Sequence, residues 1–540
     1  MIEISNLRIP LAKLDGTHEC ELRACRRASA RKLGIREGRI RGIELRRRSI
    51  DARKRSAILL TMTVRVTVAG DETELVRSAR GNVRIVSEKP YELPGRISSE
   101  GHDRPVVVGA GCAGLFCALA LASAGLRPLL VERGDDADRR CAAVEKFNRT
   151  GVLDPESNIQ FGLGGAGTFS DGKLTTGTKS PAHRLILETL AEAGAQGRIL
   201  WDAKPHVGSD VLPGVVTAVA RRIEELGGEV RFRTRMTGLE VRDGRVRAVT
   251  LADDAGTKRL ETRDVVLACG HSARDVFSLA REAGVAMERK TFAMGVRIEH
   301  SQQAVDRALF GRNAGHPALG AGSYKLAEHV TKERSAFSFC MCPGGFVVAA
   351  ASEPEGVVTN GMSLSDRAGT NANAGLLANV FPGDLPGDDV LAGIDLQRTC
   401  ERKAFEQGGG DFAAPAQLVG DFLKATPSTT GGGIEPTYPR GVTWGEAAAA
   451  LPSYVTDILR SAIPRMERRL HGFSASEAVL TGVETRSSSP VRMTRGDDMQ
   501  SVSVHGLWPC GEGAGYAGGI MSAATDGLRT AEAIVAHYAR

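Results

Sequence analysis

Residues 106–134, VVVGAGCAGLFCALALASAGLRPLLVERG, constrain the fold more than any other stretch of the chain. An apolar β-branched run, Val106 to Val108, enters a glycine turn, Gly109-Ala110-Gly111-Cys112-Ala113-Gly114. An alanine- and leucine-rich helix then runs to Gly125, and a second apolar run, Pro128 to Val131, ends at Glu132 and Arg133. Strand, glycine turn, helix and strand in this order are the parts of a dinucleotide-binding βαβ unit. Gly109 permits the tight turn, Gly111 lets the backbone approach a pyrophosphate, and Gly114 lets the helix lie close to the sheet. The phosphates would sit at the helix N-terminus, where free N–H groups and the helix dipole favour negative charge. Glu132 stands 23 residues after Gly109, near the roughly 20 expected of the carboxylate that accepts from the adenosine ribose. A second match, Gly162-Leu163-Gly164-Gly165-Ala166-Gly167, has no apolar strand before it and reads as a decoy.

At 540 residues the chain is too long for one compact core, so two or three domains are expected. Its ten cysteines are scattered without CxxC pairs or zinc-like spacing, which suits a reducing cytosol and gives no metal site. The N-terminus lacks the basic-then-apolar pattern of a signal peptide, and no run reaches the ~20 apolar residues of a membrane span. A cytoplasmic protein is expected. Residues 1–60 hold 16 Lys and Arg against 7 Asp and Glu, a net of +9, so the remaining residues sum to −3 against the total of +6. Such a segment could meet nucleic acid, but no aromatic residues are interleaved for base stacking, and a solvated surface is the preferred reading.

The expected architecture is α/β: a Rossmann-like dinucleotide-binding domain with an inserted α+β substrate domain and a small N-terminal ferredoxin-like unit. Residues 1–95 read as that unit, with strands at 2–9, 39–49 and 57–68 and a helix at 21–33. A linker follows at 96–105, within the Pro- and Gly-rich stretch from 88. The dinucleotide domain takes residues 106–290, the inserted domain 291–485, and the chain returns to the first domain over 486–540. The glycine-rich region 148–178 is expected to wrap the cofactor. Helices are expected at 181–193 and 215–226, and strands over 227–270 joined by Asp243-Gly244 and Asp254-Ala255-Gly256 turns.

Two further segments point to FAD rather than NAD: Asp264 to Gly270, an apolar strand ending in Ala268-Cys269-Gly270, and Leu507 to Gly513 followed by a glycine-led helix. On the strings FGLGGAGTFSDGKLTT, KPHVGSD, VVLACGHSARD, MGVRIEHSQ, FSFCMCPGG, TNGMS, VETRSSSP and GEGAGYAGGIMSAATDG, the chain resembles the glutathione-reductase-like flavoproteins. It is more closely similar to a family of uncharacterised FAD-dependent dehydrogenases. The resemblance spans residues 105–540, and the N-terminal unit is similar to that family's extension. It implies FAD, held without a covalent bond. Carried over, Gly109 to Gly114 would hold the pyrophosphate, Glu132 and Arg133 the adenosine ribose side, and Met236 the adenine. Ser170, Asp171, Gly172, Lys173 and Leu174 would lie along the isoalloxazine, and Gly511 and Glu512 would meet the ribitol and phosphate. Gly519, Ile520 and Met521 open a last helix whose positive end can stabilise negative charge on the ring. Leu163 departs from the family, where a glutamate is expected.

Catalytic candidates are Arg297, Glu484, Arg486 and His271. Arg297 and Glu299 share one face of a strand, and Arg297 could hold a substrate carboxylate, with internal ion pairing the equal alternative. Glu484, Arg486 and Arg492 stand where the inserted segment rejoins the first domain, a usual place for a pocket. His271 follows the Ala-Cys-Gly turn and could act as acid or base. Cys112, at a helix N-terminus, would have a lowered pKa, with a small residue beside the pyrophosphate the preferred reading. Cys340-Met341-Cys342 could be a redox pair, although one-residue spacing strains a disulfide and buried or turn cysteines are the simpler reading.

The expected function is a hydride exchange between flavin and an organic substrate, anionic on the evidence of the arginines. Because no second βαβ fingerprint follows, electrons would come from transient NAD(P)H, from the substrate, or from a protein donor or acceptor. A flavin monooxygenase, a flavin-dependent RNA-binding or RNA-modifying protein using the basic N-terminal unit, and a structural flavoprotein are the alternatives.

Overall fold

The computed structural model describes every residue except 80, 88, 99, 101 and 540; positions 88, 99 and 101 of the expected connecting stretch thus lie outside the described residues. At the centre is an all-parallel five-stranded sheet in the order Leu507–Pro509, Val265–Leu267, Val106–Val108, Leu129–Val131, Glu229–Arg231. The inner strands are short, continuous apolar runs because both of their faces are covered. One face carries the helices Cys112–Ser123, Leu212–Glu225 and Ile520–Tyr538. The other carries the helix Arg274–Glu282 and a three-stranded antiparallel sheet, Gly256–Glu261, Arg245–Asp253 and Arg235–Arg242. The turn between the last two uses Asp243 at φ 51° and Gly244 at φ 68°, the left-handed pair a tight hairpin needs.

Cys112–Ser123 is apolar on all sides, as a helix buried between a sheet and another helix must be. It packs on Ile520–Tyr538 at a distance only glycine allows. A Cβ on Gly527 would lie 2.1 Å from the Ala113 carbonyl oxygen, and one on Gly114 would lie 1.9 Å from the Gly109 oxygen.

A second, seven-stranded sheet runs Ala327–His329, Ser335–Cys342, Asn371–Val380, Phe292–Ser301, Val479–Glu484, Ala414–Leu418, Val442–Trp444. It is antiparallel except for the last pair. Its core, with the helices Ala392–Gly408 and Ser453–Glu467, is separate from the one behind the parallel sheet. The N-terminal residues form a four-stranded antiparallel sheet in the order Ile40–Asp51, Leu59–Val68, Ile2–Pro10, Val83–Ile85, covered by His18–Leu33. That helix is capped by Thr17 and stopped by Gly34 at φ 67°, the start and stop signals of an isolated amphipathic helix. Phe310, Ala318 and Leu319 enter its core, and Arg48 exchanges 2.8 Å backbone hydrogen bonds with Trp201 and Ala203. Among the described residues no helix is long and apolar enough to cross a membrane.

Gly527→Ala tests the helix contact. The added methyl has backbone on the other side, so the helices must separate, and a loss of about 1–3 kcal/mol is expected in urea unfolding. An unchanged midpoint would mean that the two helices are not held at this distance.

Candidate functional site

The first glycine turn and the loop 162–174 lie against each other. Gly111 and Gly164 form an isolated bridge, Gly164 N–H donates to the Ala110 oxygen at 2.8 Å, and a Cβ on Gly165 would lie 3.1 Å from Gly111 Cα. The second glycine match is therefore no second βαβ unit; its glycines let two backbones meet. Gly109, at φ 102°, has the Ala268 oxygen 2.6 Å from where a Cβ would stand, so Ala268-Cys269-Gly270 closes the turn from the other side. Gly111 caps Cys112–Ser123, and a Cβ there would meet only Gly165 Cα, at 3.9 Å. This open cradle at a helix N-terminus fits a pyrophosphate.

Glu132 is buried, and its carboxylate accepts from Ala110 N–H at 2.8 Å, Gly134 N–H at 3.0 Å and Gly162 N–H at 2.9 Å. Neighbouring Arg133 is bound to Glu156 at 2.8 Å and Asp275 at 2.9 Å, with its guanidinium 4.3 Å from the Phe161 ring centroid. Met236 is buried in the strand Arg235–Arg242. Leu163 is buried in the core beside the helix Leu212–Glu225, so this position presents no polar group.

From Gly165 the loop passes the start of the last helix, where a Cβ on Gly167 would lie 3.3 Å from the Ile520 side chain and 3.6 Å from Cys112 Sγ. Ser170 Oγ donates to the Gly167 oxygen at 2.6 Å and accepts from Gly172 N–H at 3.0 Å. Asp171 is fully buried between Arg367, at 2.5 Å, and Lys173, at 3.0 Å. Leu174 is buried. Gly511 N–H donates to Asp526 at 2.8 Å, and Asp526 is paired with Arg495 at 2.6 Å. Gly519, at φ 145°, caps the last helix, whose first turn begins with Ile520 and buried Met521. The first glycine turn, the loop at 164–167, Ala268-Cys269-Gly270, Gly511 and the start of the last helix thus touch one another along one track.

Cys112 departs from its expectation. Burial pushes its thiol up to about 12, so desolvation outweighs the helix terminus and the group stays protonated.

His271 and Glu512 meet at the end of this track. His271 Nε2 lies 3.0 Å from the Arg486 carbonyl, which can only accept, so Nε2 carries the proton and Nδ1 the lone pair. Nδ1 stands 3.6 Å from Glu512 Oε1. Burial, then the Arg486 charge, pushes the imidazole down to about 4, and burial pushes Glu512 up to about 7. A neutral ring of fixed tautomer beside a carboxyl that changes charge near pH 7 is suited to holding a proton.

The arginines are committed internally. Arg297 is fully buried, with Nε 2.5 Å from Glu484 Oε2, Nη1 donating to Asn373 and Nη2 to Asn360. Burial opposes its charge, but Glu484 outweighs that and raises its pKa, while burial pushes Glu484 to about 7. Arg486 and Arg274 both grip Glu401, at 2.7 and 2.8 Å. These charges hold Glu401 far below the usual carboxylate range despite its burial. Arg492 is half exposed and pairs with Glu288 at 2.8 Å.

Sequence reasoning missed Arg140, Arg274, Arg367, Glu401 and Asp526. Arg140 is fully buried and donates to the carbonyls of Asn158, Ile159, Gly162 and Leu163, so it orders the loop. In sequence it is one of two adjacent arginines on an amphipathic helix, which carries no signal of burial.

Glu512 makes a testable prediction. The folded carboxyl stays protonated until about pH 7, whereas the unfolded one ionises at its ordinary value, so between the two the folded state binds more protons. Its stabilising contribution is full below the ordinary carboxyl value and is lost as pH rises from there through about 7, by about 1.4 kcal/mol per unit at most. Urea unfolding at pH 5, 6 and 7 should show this slope in the wild-type protein minus Glu512→Gln. A flat difference would refute the raised pKa.

The comparisons bear on this geometry. Residues 103–305 match the family described as pyridine nucleotide-disulphide oxidoreductase, and residues 291–487 the family described as FAD-dependent protein, C-terminal domain-like. Residues 1–67 match a domain of unknown function. An uncharacterised protein of Clostridium beijerinckii is 41% identical over 538 residues, covering 99% of each chain. Among solved structures, a flavin-dependent brominase is 12% identical over 81% of each chain with TM-score 0.37. A flavoprotein/dehydrogenase from Cytophaga hutchinsonii is 12% identical, covering 81% of this chain and 78% of its own, with TM-score 0.34. At such scores these likenesses say nothing of the reaction. The full-length relative and the two matches that between them span the cofactor turn and the seven-stranded sheet make this chain a member of an uncharacterised family of FAD-dependent oxidoreductases.

Proposed function

We propose that the protein moves a hydride between FAD and a small organic substrate held in the seam between the parallel five-stranded sheet and the seven-stranded sheet. The observation that carries this reading is the convergence of the Gly111 cradle, the 162–174 loop and the start of the last helix beside the His271–Glu512 pair. FAD, when bound, supplies a two-electron acceptor at its ring.

The chain's own residues orient it. The N-terminus of Cys112–Ser123 takes the pyrophosphate, the Met236 backbone meets the adenine, and Glu132 keeps one of its about four acceptor positions for a ribose hydroxyl. Ser170 to Leu174 lie along the ring, Gly511 and Glu512 meet the ribitol, and the N–H groups of Ile520 and Met521 face the charge that collects at the ring edge. Glu512 holds a proton that His271 Nδ1 can share. Arg297 and Arg486 are committed to Glu484 and Glu401, so neither is free to bind a substrate carboxylate. NADH or NADPH is the transient electron donor.

In this reading the FAD domain comprises 106–290 and 486–540, with 291–485 as the substrate domain. Residues 1–95 are a ferredoxin-like unit, a reading supported by the strand order described above, with 96–105 as the linker.

The absorption spectrum of the anaerobic protein, before and after NADH and then NADPH, tests the reading. A flavin band that bleaches within seconds is expected; a band that persists with both rejects the nicotinamide donor. Gly111→Leu fills the cradle and is expected to purify colourless, and a fully yellow variant rejects this cofactor site.

A further inference from the structure

The strand Ser335–Cys342 is broken by a bulge. Its register with Asn371–Val380 shifts between Phe339 and Cys342, and Cys340 sits at φ 41°, a left-handed conformation that is rare for a residue with a side chain. Around this bulge two sulfurs face one amine: Lys173 Nζ lies 3.9 Å from Cys340 Sγ and 3.8 Å from Cys342 Sγ. Lys173 is itself held by buried Asp171 at 3.0 Å. The Cys340 carbonyl accepts from Arg297 Nη1 at 3.0 Å and from the Cys342 thiol at 3.1 Å. Both cysteines are free thiols.

A thiol buried for packing has no charge partner and a raised pKa, as Cys400 has when burial pushes it up to about 12. This pair differs. The adjacent Cys342 thiol, then Lys173 and Arg297, hold Cys340 well below the ordinary thiol value against its burial, while Cys342 is held well above it by the shared proton and by burial. Cys340 is thus biased toward the thiolate and Cys342 toward the thiol, the division that thiol–disulfide exchange uses. Lys173 belongs to the segment proposed to lie along the flavin ring, and the charge on Cys340 is felt by Glu512, the partner of His271.

We infer that Cys340 and Cys342 form a redox-active dithiol that exchanges an electron pair with the bound flavin, with Lys173 positioned to stabilise the Cys340 thiolate. The inference rests on the flavin placement proposed above. In the oxidising direction an S–S bond forms between the two Sγ atoms and the S–H bond of Cys342 breaks. The electron pair and that one proton pass to oxidised FAD, and the reverse reaction restores thiolate and thiol.

Anaerobic dithionite titration of the diamide-oxidised holoprotein counts the electrons. Four electrons per FAD are expected in the wild-type protein and two in Cys342→Ser. Independently of turnover, iodoacetamide labelling of reduced Cys340 across pH, read by peptide mass, should have its midpoint below that of an ordinary thiol. That midpoint should rise by at least one pH unit in Lys173→Gln and return in Lys173→Arg. Two electrons per FAD in both proteins, or a Cys340 midpoint indifferent to Lys173→Gln, would overturn the inference. Failure of the flavin placement shows separately: the peptide containing both cysteines closes with diamide, yet the protein binds no flavin and takes up only the electrons of that disulfide. That result also overturns the exchange with flavin.

Discussion

The Glu132 carboxylate holds the site together. Three backbone N–H groups from three separate segments, Ala110, Gly134 and Gly162, converge on it. Hydrogen bonds to an ionised acceptor are roughly twice as strong as neutral ones, and here they join the first glycine turn to the loop that crosses it. Without that tie the Gly111 cradle would lose the wall that Gly164 and Gly165 provide. The close backbone approach and the carboxylate need each other, because glycine removes the steric barrier and Glu132 supplies the attraction.

Buried cations extend the same principle outward. Arg140 spends its donors on four carbonyls of the loop at 158–163, so a segment rich in turns acquires one conformation without a hydrophobic core of its own. Arg274 and Arg486 share Glu401, and this joins the helix after the Ala268-Cys269-Gly270 turn to the helix Ala392–Gly408 behind the seven-stranded sheet. Removing one member of such a group leaves a buried charge unpaired, which is strongly destabilising. The seam between the two sheets is therefore fastened by charge where it faces the site, and Lys173 with Asp171 and Arg367 fastens it again from the loop.

Much of the fold is legible in local sequence. Val106 to Val108, Leu129 to Val131 and Val265 to Leu267 read as buried strands because a parallel sheet covered on both faces tolerates only apolar side chains. The helices near 182–192 and 212–225 follow from their amphipathic periodicity, and the hairpin at Asp243-Gly244 from its turn residues. The missing strand before the second glycine string already shows that it is no βαβ unit, but its contact with the first glycine turn, more than fifty residues away, is encoded in no local pattern. The lowered pKa expected of Cys112 fails for a related reason, since the helix terminus is visible in sequence but the burial that outweighs it is not.

The sequence by itself determined the βαβ unit, its glycines, the carboxylate at 132 and the order in which the chain leaves and rejoins the parallel sheet. These depend on backbone conformation and on periodicity over a few residues. Only the tertiary structure decided what each charged side chain does. Arg297 and Arg486 could have faced a substrate but lie against Glu484 and Glu401. Cys340 and Cys342 could have been packing residues but turn toward Lys173. A charge takes its role from the nearest opposite charge and from how much water is excluded around it, and both are set by residues 85 to 187 positions apart in the chain.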